Sequence, residues 1–288
     1  SLGLLISPSW SVSPFVWVFI LVPIIDLMLP YLNKKDQELN ESLLHNFSII
    51  IVLPCILFLL VLGLVVVSDS NINFFTVAAL GASIGMSGGS IGITTAHELI
   101  HRQSKFMRSL GVILLILCLY GHFRIEHVYG HHRKVATKED PATAREGENF
   151  YFYFIRCVIN SVISSWKIEK NILYKKNLKT FSLQNRMLHY FSLQFIFLLI
   201  AFYIAGINGL IFVFFHSLVS ITLLELVNYI QHYGLTRNIY EGKYERFSDY
   251  HSWNSRHISA NWSTFNLGLH SEHHKSAVKH YPLLSQEE

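Results

Sequence analysis

"NFSIIIVLPCILFLLVLGLVVVSDSNINFFTVAALGASIGMSGGSIGITTAHELIH", residues 46–101, holds two apolar stretches, 46–67 and 74–96, joined by the short polar turn "SDSNIN". It ends on two histidines, His97 and His101, four residues apart. A helix crossing the hydrocarbon of a bilayer needs about 20 mostly apolar residues, and each stretch supplies them. The stretch therefore reads as a membrane hairpin. The rest of the chain agrees: 51% of its 288 residues are hydrophobic and the mean hydropathy is +0.35, which points away from a soluble fold. Residues 14–32, interrupted by Asp26, form a further apolar stretch, and 188–205 with 207–229 form a second hairpin around "AGING", whose glycines suit a tight reversal. The opening "SLGLLISPSW" reads as the tail of an apolar segment whose beginning is missing. With no internal repeat, 1–288 reads as one integral-membrane domain.

Lys and Arg set the sidedness, because cytoplasmic loops carry them in excess. None of the 23 falls in the two short turns: two are Lys34 and Lys35, fifteen lie from Arg102 to Arg186, and six follow from Arg237. "SDSNIN" and "AGING" are thus expected outside, and the middle and C-terminal segments in the cytoplasm. A straight helix from the apolar run "SLGVILLILCLY", 109–120, on to residue 126 would reach roughly 27 Å, so length does not exclude a crossing, but a crossing would carry the basic segment to the wrong side. The run reads instead as a buried or re-entrant helix, which protein contacts tolerate at membrane depth.

That topology brings the histidines to one side. Sixteen are present, and nine form four clusters: His97 and His101 in "HELIH"; His127, His131 and His132 in "HVYGHH"; His232 in "NYIQHYG"; and His270, His273 and His274 in "HSEHH". One such pair is weak, since helical histidines four apart often hold nothing. Nine neutral imidazoles on one face exceed what one ion accepts, so two metals are implied. Cys55, Cys118 and Cys157 sit in apolar settings without pairing, so no thiolate site is expected. Imidazole suits Zn, Cu, Fe and Ni; an apolar setting beside lipid favours oxygen-activating iron over hydrolytic zinc. A ligating histidine usually gives its other N–H to an acceptor, for which Glu98, Glu126, Asp140 and Glu225 are candidates. Glu225 stands seven residues before His232, within an apolar stretch where a lone carboxylate is costly. His45, His189 and His216 read as structural or interfacial, while His122, His251, His257 and His280 lie near the clusters. A metal carrier would instead string acids or histidines along its spans.

These motifs, with "GHFRIEHVYGHHRKVATKEDPATAREGENFY", "NYIQHYGL", "HSWNSRH" and "LHSEHH", resemble the membrane-bound alkane monooxygenases among the histidine-box di-iron enzymes. The resemblance implies an all-α, polytopic membrane protein of about six transmembrane helices with a cytoplasmic catalytic cap, in the inner (plasma) membrane. It implies two iron ions on the nine histidines and O2 as co-substrate. It also implies hydroxylation of the terminal methyl of a hydrocarbon, with electrons from a rubredoxin or ferredoxin-type donor at the cytoplasmic face. No nucleic-acid partner is expected. Gln231 stands where alkane hydroxylases usually carry Glu; the xylene monooxygenases resemble this chain in having Gln there and a Glu at the position of Glu225. A methyl-hydroxylating xylene-type enzyme and a fatty-acid desaturase or hydroxylase are the alternatives.

Overall fold

The computed structural model describes residues 11–32 and 42–284, so "SLGLLISPSW" and Lys34 and Lys35 lie outside the described residues. The chain is mostly helical. Helix α1 is Ser13–Met28, a shorter apolar helix; α2, Leu43–Val67, and α3, Phe74–His101, are each long and apolar enough to cross a membrane. Ser42 caps α2, its Oγ accepting the His45 N–H at 3.4 Å, and Asn73 caps α3 by accepting the Thr76 N–H at 3.0 Å. These caps meet N–H groups that a helix start leaves without partners.

Chain order continues with α4, Lys105–Leu117; α5, 123–134; α6, Phe150–Lys175; α7, Arg186–His232; a two-stranded antiparallel hairpin, Ile239–Tyr240 with Lys243–Tyr244; α8, Ile258–Ser263; and α9, His270–Lys275. Helix α7 is also long and apolar enough to cross, and it breaks at Ala205 (φ −133, ψ 17) and Gly206 (φ 56, ψ −140). The positive φ at Gly206 is one that glycine adopts without steric penalty, so the break falls within the expected "AGING" reversal.

Small residues let α3 and α7 approach closely, the usual way apolar helices pack where the hydrophobic effect does not discriminate lipid from protein. A Cβ on Gly85 would lie 2.6 Å from the His216 carbonyl oxygen, and one on Gly88 2.5 Å from Ser220 Oγ. Ser220 Oγ donates to the Gly85 carbonyl at 3.0 Å.

The run 109–120 does not continue straight. After Leu117, Leu119 takes φ 55 and the Tyr120 N–H returns to the Leu115 carbonyl at 2.8 Å, which stops the helix. The chain then doubles back: Lys105 and Arg108 of α4 line one cavity with Arg124 and Tyr129 of α5. The run is thus a helix that ends at Leu117 and packs among its neighbours, with Leu114, Leu115, Ile116 and Leu117 buried. Helix α6 buries a single stripe at intervals of four, Tyr153, Cys157, Ser161, Ser165, Glu169 and Leu173. Asp26, which interrupts the first apolar stretch, accepts N–H groups of Ser259 at 2.6 Å and Ala260 at 3.1 Å, tying α1 to the start of α8.

Candidate metal centre

Wide π turns shape both segments that carry the first histidines. Residues Gly88–Ile93 form one within α3, a turn and a half before His97, and Glu126–His131 form another within α5. Such turns recur at functional sites because they change which residues share a helix face. In α5 the wide turn brings His127 and His132, five apart, together with Nε2 atoms 3.0 Å from each other. His131 points elsewhere.

The nine clustered histidines resolve into two groups: His97, His101, His127, His132 and His273 in one, and His131, His232, His270 and His274 in the other, the ligating nitrogens of each group lying within 4.8 Å of one another. Helix α9 serves both, giving His273 to the first and His270 and His274 to the second. The groups are contiguous, with the His132 and His274 rings 4.4 Å apart.

The spacing tests whether metal ions fit. Two nitrogens about 2.1 Å from one ion and at right angles lie about 3.0 Å apart, against about 3.4 Å for a tetrahedral pair. Nε2 contacts are 3.0 Å for His127–His132 and 3.1 Å for His132–His273, His232–His270 and His270–His274. Nε2 of His97, His101 and His131 is buried without a hydrogen-bond partner. Five and four convergent imidazoles at this spacing fit two metal ions.

Electrostatics keep these rings neutral, the form that binds metal. Burial, then neighbouring histidines, holds His127, His132, His270, His273 and His274 well below the ordinary histidine value. His131 is the exception. Burial pushes it down, but the Asp140 carboxylate overrides this and raises it. His131 Nδ1 donates to Asp140 Oδ2 at 2.9 Å, and Thr143 Oγ1 and the Ala142 N–H also donate to that carboxylate, at 2.6 and 3.2 Å. This fixes the tautomer that presents Nε2 to the second group. Outside Asp140 a cavity of 480 Å³ is lined by Lys134, Lys138, Arg145, Arg156 and Lys167.

The other three candidate carboxylates have different partners. Glu98 takes Arg102 Nε at 2.8 Å and the Tyr281 N–H at 3.3 Å. Glu126 accepts Ser164 Oγ at 3.4 Å; burial, then the nearby Asp140 charge, raises its carboxyl to about 8. Glu225 accepts Tyr120 Oη at 2.9 Å, Tyr153 Oη at 3.2 Å, Cys157 Sγ at 3.0 Å and Asn228 Nδ2 at 3.1 Å. Its cost of burial is met by four donors, three of them on α6 and the α4–α5 turn rather than on a histidine. The sequence offers no periodic signal for that cage. Of the histidines near the clusters, His251 Nε2 meets Glu245 at 3.3 Å and His122 packs its ring on Tyr120. His216 is buried beside Cys118, its Nε2 3.9 Å from Sγ.

Residues 72–286 match the fatty acid desaturase family. The chain is 33% identical to alkane 1-monooxygenase 2 of Pseudomonas aeruginosa, over 98% of this chain and 80% of the relative, and 34% identical to alkane 1-monooxygenase of Pseudomonas putida, over 93% and 68%. A weaker likeness, 27% over 57% of this chain and 44% of the relative, is to the xylene/toluene monooxygenase hydroxylase component of Pseudomonas putida. Nine histidines gathered in two groups on a largely apolar helical frame, together with these relationships, show that the chain belongs to the alkane 1-monooxygenases, membrane oxidoreductases of the histidine-box fatty acid desaturase family.

Proposed function

We propose that the chain is a di-iron enzyme that hydroxylates the terminal methyl of a hydrocarbon to a primary alcohol, with O2 as oxidant and two electrons from a rubredoxin or ferredoxin-type donor. The observation that carries this is the division of nine imidazoles, seven buried and two half-buried, into convergent groups of five and four. His97, His101, His127, His132 and His273 would hold one iron and His131, His232, His270 and His274 the other. Bound there, the metals would supply reductive activation of O2, for which two electrons and two protons are consumed as one oxygen atom enters the substrate C–H bond and the other leaves as water.

The protein's own groups do the rest. Asp140 keeps the proton on His131 Nδ1, so Nε2 stays free to ligate. The hydrocarbon has no polar handle and is held by burial, worth about 0.8 kcal/mol per CH2. The compartment assigned to it is an apolar cavity of 660 Å³ lined by Trp17, Val22 and Leu27 of α1, Ile91 of the α3 π turn, and Ala260 of α8. Chain length is then read by depth, so discrimination between neighbouring homologues is modest. The cationic cavity outside Asp140 suits an acidic electron donor. About six crossings, of which α1, α2, α3 and the two halves of α7 would supply five, complete the reading, with a cytoplasmic cap and an inner-membrane location supported by the placement of Lys and Arg.

The test is to supply the reduced protein with isotopically labelled O2, an electron donor, and a panel of alkanes and methylarenes. A primary alcohol carrying the label is the expected product. An alkene without label would make the protein a desaturase, and preferred turnover of methylarenes would move it to the xylene-type branch.

A further inference from the structure

Arg124 is 8% exposed, and its Nη1 is buried without a hydrogen-bond partner. No carboxylate pairs with it among the described residues; its neighbours are the Tyr129 phenol, to which it hydrogen-bonds and whose ring centroid lies 5.5 Å from the guanidinium, the Tyr190 phenol, and Arg186, itself 5.0 Å from the Tyr129 centroid. Arg186 is neutralised by Glu169, with Nε 3.0 Å from Oε2, whereas Arg124 is not. A buried guanidinium without a counter-charge is costly, and the surroundings add to the cost. Lys105, Arg108, Arg124 and Arg186 all line one cavity of 730 Å³, and no carboxylate does. Arg108 is fixed there by donating to the Arg102 and Gln103 carbonyls at 2.9 and 2.6 Å.

One wall of this cavity is apolar. Ile113 of α4 and Leu193 of α7 line it and are 40% and 46% exposed. Leu193 lies two turns into a helix that starts at Arg186 and is apolar enough to cross the membrane. Cations at the mouth of a spanning helix, with exposed apolar side chains leading away from them, match an amphiphile with an anionic head. A free anion would not require the apolar wall, and an acidic protein surface would not reach a buried guanidinium.

We infer that this cavity between α4, α5 and the first half of α7 is a binding site for an anionic phospholipid. Its phosphate lies among Lys105, Arg108 and Arg124, and its acyl chain along Ile113 and Leu193. Basic pockets between membrane helices hold lipid headgroups in this way. The inference rests on the reading that α7 spans the bilayer. The lipid supplies the counter-charge for Arg124, three residues before His127, and so braces α4 and α5 against the metal centre.

The experiment is native mass spectrometry of the intact protein released from micelles containing phosphatidylglycerol or phosphatidylcholine, with recovery in the membrane fraction checked first so that failure to span is seen separately. The wild type should retain one phosphatidylglycerol in preference to phosphatidylcholine. Arg124→Gln and the exposed Lys105→Gln should each weaken that retention about fivefold, leaving phosphatidylcholine retention unchanged. Lys105→Gln keeps the test decisive if Arg124→Gln does not fold. Equal retention of both lipids by the wild type, or displacement of phosphatidylglycerol by millimolar inorganic phosphate, would overturn the lipid assignment. So would variants that retain lipid normally but lose affinity for an acidic electron-donor protein.

Discussion

His131 and His132 are adjacent in the chain yet fall in different histidine groups, because successive side chains on a helix point about 100° apart. Of the nine clustered histidines, His131 is the one with a carboxylate partner among the described residues, so its orientation depends on Asp140. Asp140→Asn keeps the shape but removes the charge and offers an amide that can present N–H where an acceptor is needed. Metal affinity of the four-histidine group should fall about 10–100-fold, read as substoichiometric iron by elemental analysis together with lost hydroxylation. His131→Ala should abolish both, and full iron loading with normal turnover in that variant would refute the ligand assignment. Glu126 supports a pH prediction. Its carboxyl rises from 4.5 to about 8, so between those values the folded chain keeps a proton the unfolded chain has released, and this residue makes the fold less stable as pH rises through that window. Below it both states are protonated and the effect vanishes. Glu126→Gln should flatten the fall in melting temperature between about pH 6 and pH 8; an unchanged slope would mean that the folded carboxyl is already ionised. The histidines were legible in the sequence because ligands must be a rare residue type in clusters. The partners of Glu98 and Glu225 were not, because Tyr281, Tyr120, Tyr153 and Cys157 reach them from segments far apart in the chain.

Helix α3 combines two devices that a hydropathy pattern shows unequally. Its glycines at 81, 85, 88 and 89 are visible as small residues in an apolar stretch. The π turn at Gly88–Ile93 is invisible, because one additional residue per turn does not alter composition. Gly85→Val would place side-chain carbon against the His216 carbonyl and should destabilise the detergent-solubilised protein by about 1–3 kcal/mol, read as a lowered melting temperature. Deleting the partly exposed Ile91 should let the wide turn close as a regular α turn, and because either turn completes about one revolution His97 and His101 should keep their facing. The deletion variant should still enter the membrane fraction and keep its metal. Loss of iron from the five-histidine group would show that the wide geometry itself, and not only the facing of those histidines, is needed. That the run 109–120 ends as a short packed helix was suggested by charge: a crossing there would put the fifteen cations from Arg102 to Arg186 partly opposite the other basic loops. The position of the reversal was not legible, since Leu119 carries no turn-forming side chain.

At the scale of the whole molecule, apolar helices hold one edge of the metal centre and charged loops cover the other. Asp140 sits at the boundary, bonded to His131 on its inner side and lining a cavity with Lys138 and Arg145 on its outer side. For the proposed soluble donor, Asp140 and His131 would offer a short hydrogen-bonded route to the four-histidine group. Both Lys138 and Arg145 are exposed, so on that proposal they would act on encounter rather than on the chemistry of the site. Charge at the rim of an interface governs association rate and salt dependence more than the bound state, and exposed charges are screened beyond about 10 Å at 0.1 M salt. Raising ionic strength should thus increase the KM for an acidic donor while kcat at saturating donor stays constant. Lys138→Glu and Arg145→Glu should raise that KM further and weaken its dependence on salt. A loss confined to kcat would show that these residues act at the metal centre, and an unaltered KM in both variants would place donor docking on a different face.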